Sequence, residues 1–194
     1  TFDPNDCKGL VTEQVAARTG RTLTIDENLR LAYFPWLAVE TGGITIGSAA
    51  DFGGAAAPFA TVETLAARVK LMPLLERRIE IGTVELTGLT LNLARDADLR
   101  GNWQDLVDAA SGTTEQPGAA TAAPTSLAIE GVRVRNGNVY WRENRDELRY
   151  SVTALDLTTG GIGADEPVSF DAALQFKDEI SGLTAALAAK AIAQ

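Results

Sequence analysis

The stretch Ile79-Glu80-Ile81-Gly82-Thr83-Val84-Glu85-Leu86-Thr87-Gly88-Leu89-Thr90-Leu91-Asn92-Leu93 decides the fold, because a second stretch repeats its pattern. That second stretch is Leu127-Ala128-Ile129-Glu130-Gly131-Val132-Arg133-Val134-Arg135-Asn136-Gly137-Asn138-Val139-Tyr140-Trp141. Apolar residues of the first copy, Ile79, Ile81, Val84, Leu86, Leu89, Leu91 and Leu93, fall at offsets 0, 2, 5, 7, 10, 12 and 14. Leu127, Ile129, Val132, Val134, Gly137, Val139 and Trp141 fall on the same offsets, with glycine in place of one apolar member. Period 2 belongs to β-strands, whose side chains alternate between faces. Each copy breaks that period twice with a step of three, before Val84 or Val132 and across Thr87-Gly88 or Arg135-Asn136. A step of three flips the inward face, so each calls for a β-bulge, a bend or a tight turn. Gly82, Gly88, Gly131 and Asn136 stand next to the steps and suit that geometry.

Outward from the repeat, the same alternation continues upstream in Leu23/Ile25, Leu29/Leu31, Ile44/Ile46 and Leu65/Ala67/Val69/Leu71. Turn-forming residues lie between these runs at 26–28, at Gly42-Gly43 and over 48–58, so short antiparallel connections follow. At the start, Asp3 as N-cap, Pro4 and Asp6 open a helix. Cys7, Leu10, Val11 and Val15 give it one apolar stripe and Gly20 stops it, predicting an amphipathic helix over residues 4–19. Between the two copies, residues 102–108 form a short helical turn, and residues 109–126 are a linker rich in Ala, Thr, Gly, Ser and Pro. Beyond the second copy come a strand over 148–157, a glycine turn at 160–163 and an alternating run through Phe170, Ala172, Leu174 and Phe176. The alanine-rich tail, 183–193, is helical by propensity and a strand by alternation, and the two readings stay open. The reading is therefore mostly β with an N-terminal amphipathic α-helix and an antiparallel sheet. It divides into a first unit (1–108), a linker (109–126) and a second β-unit (127–194) that continues the same sheet.

Lysine and arginine number 17 against 26 acidic residues, a net charge of −9. Such a chain repels phosphate backbones and anionic headgroups, so nucleic acid is not an expected partner. It contains no histidine, which removes Ser-His-Asp triads, Cys-His dyads and histidine metal sites. One cysteine excludes an internal disulfide. No apolar run approaches the ~20 residues that span a bilayer. The chain opens on Thr1 and not on methionine, which leaves room for a leading anchor upstream.

Candidate chemistry resolves mostly into structure. Asp96, Asp98 and Gly101 imitate the start of a calcium loop, but Arg100 and Val107 occupy ligand positions, so this is a turn. Gly160, Gly161 and Gly163 resemble a phosphate loop, yet Glu166 stands where its last glycine belongs. Asp165/Glu166 and Asp178/Glu179 are adjacent pairs whose side chains diverge on a strand. Cys7 reads as a packed residue. Trp36, Trp103 and Trp141 read as core or turn anchors, with a bilayer surface as the alternative for Trp36 after Phe34-Pro35. No catalytic residue, metal or cofactor is expected, and the chain is not read as an enzyme.

Several short motifs carry a resemblance. Phe2-Asp3-Pro4-Asn5-Asp6, Thr19-Gly20-Arg21, Phe34-Pro35-Trp36, Leu71-Met72-Pro73-Leu74-Leu75, Leu91-Asn92-Leu93-Ala94-Arg95-Asp96 and Gly101-Asn102-Trp103 occur in that order, followed by 136–141. Together they resemble the N-terminal region of the AsmA family. Two positions depart from its pattern: Cys7 stands where an aromatic is expected, and Leu99 where the family usually has glycine. The resemblance implies an inner-membrane anchor upstream, a periplasmic body, and a curled sheet of repeating β-units forming an apolar groove. It further implies phospholipid transport toward the outer membrane and envelope integrity, with acyl chains as ligands. Leu65, Val69, Leu71, Ile79, Ile81, Val84, Leu86, Leu89, Leu91, Leu93, Leu127, Ile129, Val132, Val134, Val139, Trp141, Phe170, Leu174 and Phe176 are the groove candidates. The alternative is a scaffold that assists outer-membrane assembly through contacts with envelope proteins, its apolar face sealed internally.

Overall fold

The computed structural model describes residues 6–32, 36–70, 78–110, 126–161 and 168–193. Alternating sequence becomes strand at nearly every expected place. Helix α1 (Asp6–Thr19) leads into β1 (Leu23–Ile25), β2 (Arg30–Ala32) and β3 (Trp36–Gly47). Two 3-10 turns then precede β4 (Pro58–Lys70), β5 (Arg78–Thr87) and β6 (Thr90–Arg95). Helix α2 (Gln104–Ala110) is followed by β7 (Ser126–Glu143), β8 (Leu148–Thr159), β9 (Val168–Asp178) and β10 (Thr184–Ala193). All ten strands form one curled sheet in the order β1-β3-β4-β5-β7-β8-β9-β10, with β2 beside β3 and β6 between β4 and β7.

The expected antiparallel sheet is corrected to a mixed one. β7 runs parallel to both β5 and β6, while the other strand pairs are antiparallel. The two sequence copies are the two members of this parallel pair: Ile79 lies opposite Leu127, Ile81 opposite Ile129, Leu86 opposite Val134, Leu91 opposite Val139 and Leu93 opposite Trp141. Parallel pairing sets each irregularity beside its own counterpart, whereas antiparallel pairing would set each bulge against a regular stretch. The return path that a parallel pair needs is supplied by residues 96–125, which carry α2.

Pairing also shows what the steps of three do. Leu65 faces Leu86 and Val69 faces Ile81, so one residue more is used on β5 than on β4, and β4 alternates regularly there. The first step is therefore a bulge, which keeps the apolar set on its face. The second step recurs in neighbouring strands as Thr41 to Ile44, Val62 to Leu65, Leu86 to Leu89, Val134 to Gly137 and Val152 to Leu155. β9 has no such step: Val152 faces Phe176 and Leu157 faces Ala172 on a regular strand, so here too the face is retained. Left-handed backbone marks the line, with φ of 61° at Gly43, 63° at Gly88, 51° at Asn136 and 49° at Ala154. A matched seam thus crosses β3 to β8 and ends at β9.

α1 is present and is stopped as expected by Gly20, whose φ is 67° and whose N–H donates to Ala16 O. Of its apolar stripe, Val11 is 46% exposed and Val15 half-buried, and the side chain of Leu10 lies outside the described residues. The expected first turn at Asp3-Pro4 lies outside the described residues, as do most of the linker at 111–125 and the side chain of Cys7. The tail is a strand: β10 pairs along its whole length with β9, and pairing overrides alanine's helical propensity. No helix among the described residues is long and apolar enough to cross a membrane.

Gly131 sits in the first bulge of β7, where a Cβ would lie 2.5 Å from Thr159 O; at Gly82, in the partner bulge, the nearest atom would be 3.4 Å away. Gly131→Ala is expected to lower unfolding free energy by about 2 kcal/mol, and Gly82→Ala by under ~1 kcal/mol. Urea denaturation of the two variants checks the difference.

Candidate functional site: the apolar sheet face

Residues directly opposite each other in a sheet project from the same face. One transverse row therefore runs Leu23, Ile46, Ala60, Leu91, Val139, Val152, Phe176, Ala185, apolar from β1 to β10. A second runs Leu65, Leu86, Val134, Leu157, Ala172, Ala189. Rows on the opposite face are polar. Thr24, Thr45, Thr61, Thr90 and Asn138 form one, and Glu40, Ala66, Glu85, Arg133, Thr158, Asp171 and Lys190 another. Ion pairs lie along the latter, Arg133 with Glu85 at 3.3 Å and Lys190 with Asp171 at 2.8 Å.

The candidates share the apolar face by this register. Leu65, Val69, Ile81, Val84, Leu86, Leu89, Leu91, Leu93, Ile129, Val132, Val139, Trp141, Leu174 and Phe176 are half-buried, Val134 is buried and Phe170 is exposed. Ile79 and Leu127 are placed only by backbone pairing, and Leu71 lies outside the described residues. Among the described residues the buried apolar side chains are Phe59, Ala60, Val62, Ala94 and Val134, and no second layer of these residues packs over the face. A hollow of about 440 Å³ lies elsewhere, with Tyr140, Ser151, Gln175 and Lys177 of the polar face among its lining residues.

One end of the sheet is fastened by a buried arginine that the sequence offered only as the last residue of the Thr19-Gly20-Arg21 motif. Arg21, which follows the glycine cap of α1, is 1% exposed. Its Nε and Nη2 donate to the two carboxylate oxygens of Asp105 on α2, at 2.6 and 2.5 Å. Nη1 donates to Gly47 O at the end of β3, and Nη2 also to Asn102 O. Its guanidinium lies 4.4 Å from the ring centroid of Phe59. Asn102 in turn completes the free edge of β6: its N–H donates to Ala94 O, its Nδ2 to Asn92 O, and its Oδ1 accepts from Ala94 N–H. The arginine holds the Asp105 carboxyl below its ordinary range, chiefly through these hydrogen bonds.

A family model for the AsmA family matches residues 1–190. The chain belongs to the AsmA family. It is 31% identical over 91 residues to the protein AsmA of Escherichia coli strain K12, a match that covers 47% of this chain and 14% of that protein's length. No solved structure matches. The structure explains several of the AsmA-like motifs mechanically: Thr19-Gly20-Arg21, Leu91-Asn92-Leu93-Ala94 and Gly101-Asn102-Trp103 meet in the arginine clasp. Leu99 has φ of 62°. The turn it completes is closed by Asp96, whose carboxylate accepts from the N–H groups of Asp98 and Arg100 and pairs with the Arg100 side chain. Asp178 likewise caps a turn, accepting from Ile180 and Ser181, while Glu179 accepts from Ser151 and Lys177. These carboxylates serve structure.

Three outcomes follow from the clasp and the turn. Arg21→Ala strands Asp105 and two carbonyls and is expected to cost about 3 kcal/mol by denaturant melts. Because the Asp105 pKa is depressed in the folded state, its contribution is intact above the ordinary carboxylate range and is lost as pH falls through the lowered value. Asp105→Asn should therefore show a flatter decline of Tm with acidification than the native chain. Leu99→Gly relieves left-handed strain at an exposed site and should raise stability by about 1 kcal/mol, read as a higher urea midpoint.

Proposed function

We propose that this chain is a lipid-handling module of the bacterial envelope, acting without catalysis, whose apolar sheet face receives phospholipid acyl chains. The observation that carries the reading is the apolar row crossing from Leu23 on β1 to Ala185 on β10 with no packed layer over it among the described residues. Leaving such a face in water costs about 25 cal/mol per Å² of apolar area, so it favours an apolar occupant. Acyl chains fit a long half-exposed strip of Val, Ile and Leu better than a compact ligand does, because the strip offers contact along its length and few hydrogen-bonding groups. Rows of Thr and paired charges on the other face suit contact with water. In this reading the module sits in the periplasm, tethered through an upstream anchor, and moves phospholipid between the membranes.

Photo-crosslinking side chains at Leu91 and Val139, neighbours in one row, test it. Lipid adducts at both sites in cells are expected, together with none at Thr90 or Asn138, which form the adjacent pair on the other face. Absence of adducts at Leu91 and Val139, with adducts on a known carrier treated alike, would falsify it.

A scaffold acting through envelope proteins is the second reading, favoured by exposed Leu187 and Ile192 on the outer strand and Leu183 just before it. Native mass spectrometry decides between them: a lipid-free chain with a tight protein partner supports the scaffold, and a co-purifying phospholipid supports lipid handling.

A further inference from the structure

The apolar face ends at one corner in a charged group. Arg95 follows Leu93 on the same face of β6, beyond the Leu93–Trp141 pair, and lies opposite Glu143 of β7. Trp103 and Trp141 lie 5.4 Å apart between ring centroids, tilted by 40°. The Arg95 guanidinium stands 5.7 Å from the first ring and 5.3 Å from the second. Two aromatic faces thus hold the guanidinium by cation–π attraction.

Among the described residues its side chain meets no hydrogen-bond acceptor. Nε is buried and has no hydrogen-bond partner. Among the described residues no ion pair reaches Arg95, and Glu143, although opposite it and 8% exposed, makes none with it. Arg21 shows the contrast, since its Nε, Nη1 and Nη2 each donate to a carboxylate or carbonyl oxygen. A part-buried guanidinium without oxygen acceptors leaves a site for an oxyanion, and its planar fork matches two oxygens of one phosphate.

We propose that Arg95 is the headgroup position of the apolar face: it binds the phosphate of an acyl phosphodiester whose chain lies along Leu93, Leu91 and Val139. Trp103 and Trp141 position the guanidinium. The neighbouring Glu143 charge disfavours a dianion, so a singly charged phosphodiester is taken in preference to free phosphate. This inference rests on the lipid reading and gives the bound lipid an orientation.

The test titrates the native chain, Arg95→Gln and Arg95→Lys with three probes, following tryptophan fluorescence and calorimetric heat. The probes are lysophosphatidylglycerol below its micellar concentration, a monoacylglycerol of the same chain length, and inorganic phosphate. Arg95→Gln is expected to weaken lysophosphatidylglycerol by at least about tenfold, the scale of one charge-assisted pair. Monoacylglycerol affinity should change less than about twofold, showing in the same variant that fold and acyl site persist. Arg95→Lys, which keeps the charge and loses the fork, should fall between.

Equal weakening of both lipids in Arg95→Gln would make the residue structural and overturn the proposal. Unchanged affinity for both would overturn it and leave the acyl-chain reading standing. Arg95-dependent binding of inorganic phosphate as tight as that of lysophosphatidylglycerol would assign the site to free phosphate and overturn it too. Failure of both lipids to bind the native chain would overturn the lipid reading and, with it, this one.

Discussion

The parallel, in-register pairing of two like segments is the constraint on which the rest depends. Because residues 79–93 lie beside residues 127–141 with a constant offset, each bulge in one strand has its match in the next. Side chains from both copies therefore stay on one face across two breaks in alternation. Parallel pairing also forces the chain to return from the end of β6 to the start of β7. That return carries α2, and α2 carries Asp105, the carboxylate that fixes Arg21. A pairing choice in the middle of the sheet thus determines what closes its corner.

At that corner, charge takes the place of a conventional core. Few apolar side chains of the described residues are buried, and a fully enclosed guanidinium with a carboxylate, two carbonyls and an aromatic ring stands among them. Buried charge is tolerable only when such partners are present together. The cluster joins the end of α1, the end of β3, the segment before α2 and, through Asn102, the open edge of β6. Directional hydrogen bonds, and not a packed second layer of the described residues, fix this corner of the sheet.

Much of this was legible beforehand. Alternation located the strands, and the repeat named most of the apolar face. Its direction was not legible, because equal patterns are compatible with either orientation until one asks how the bulges must meet. The wider seam was hidden by small or polar residues: Thr41, Gly137 and Ala154 interrupt what would otherwise read as an apolar rhythm in β3, β7 and β8. Arg21 appeared only as a motif residue and its burial was not legible, because an arginine after a helix-ending glycine looks solvated and its α2 partners lie some 80 residues away in sequence. Asp105 gave no signal for the same reason, and Asn102 stood out only as part of the Gly101-Asn102-Trp103 motif. In the tail, alanine's local preference pointed toward helix, and only the presence of β9 as a neighbour turned it to strand. Of the stripe expected on α1, Val11 is exposed and Val15 half-buried.

The seam of left-handed residues behaves like a dislocation in a crystal. An additional residue is threaded through β3, β4, the β5–β6 strand, β7 and β8, and the defect terminates between β8 and β9, where three steps along β8 meet two along β9. A line defect of this kind cannot be healed one strand at a time. Deleting the added residue from a single strand would invert the facing of everything beyond it while its neighbours kept theirs. Length change in this sheet is thus a collective variable: single insertions and deletions inside these strands are forbidden moves, and sequence drift is confined to substitutions and to the loops.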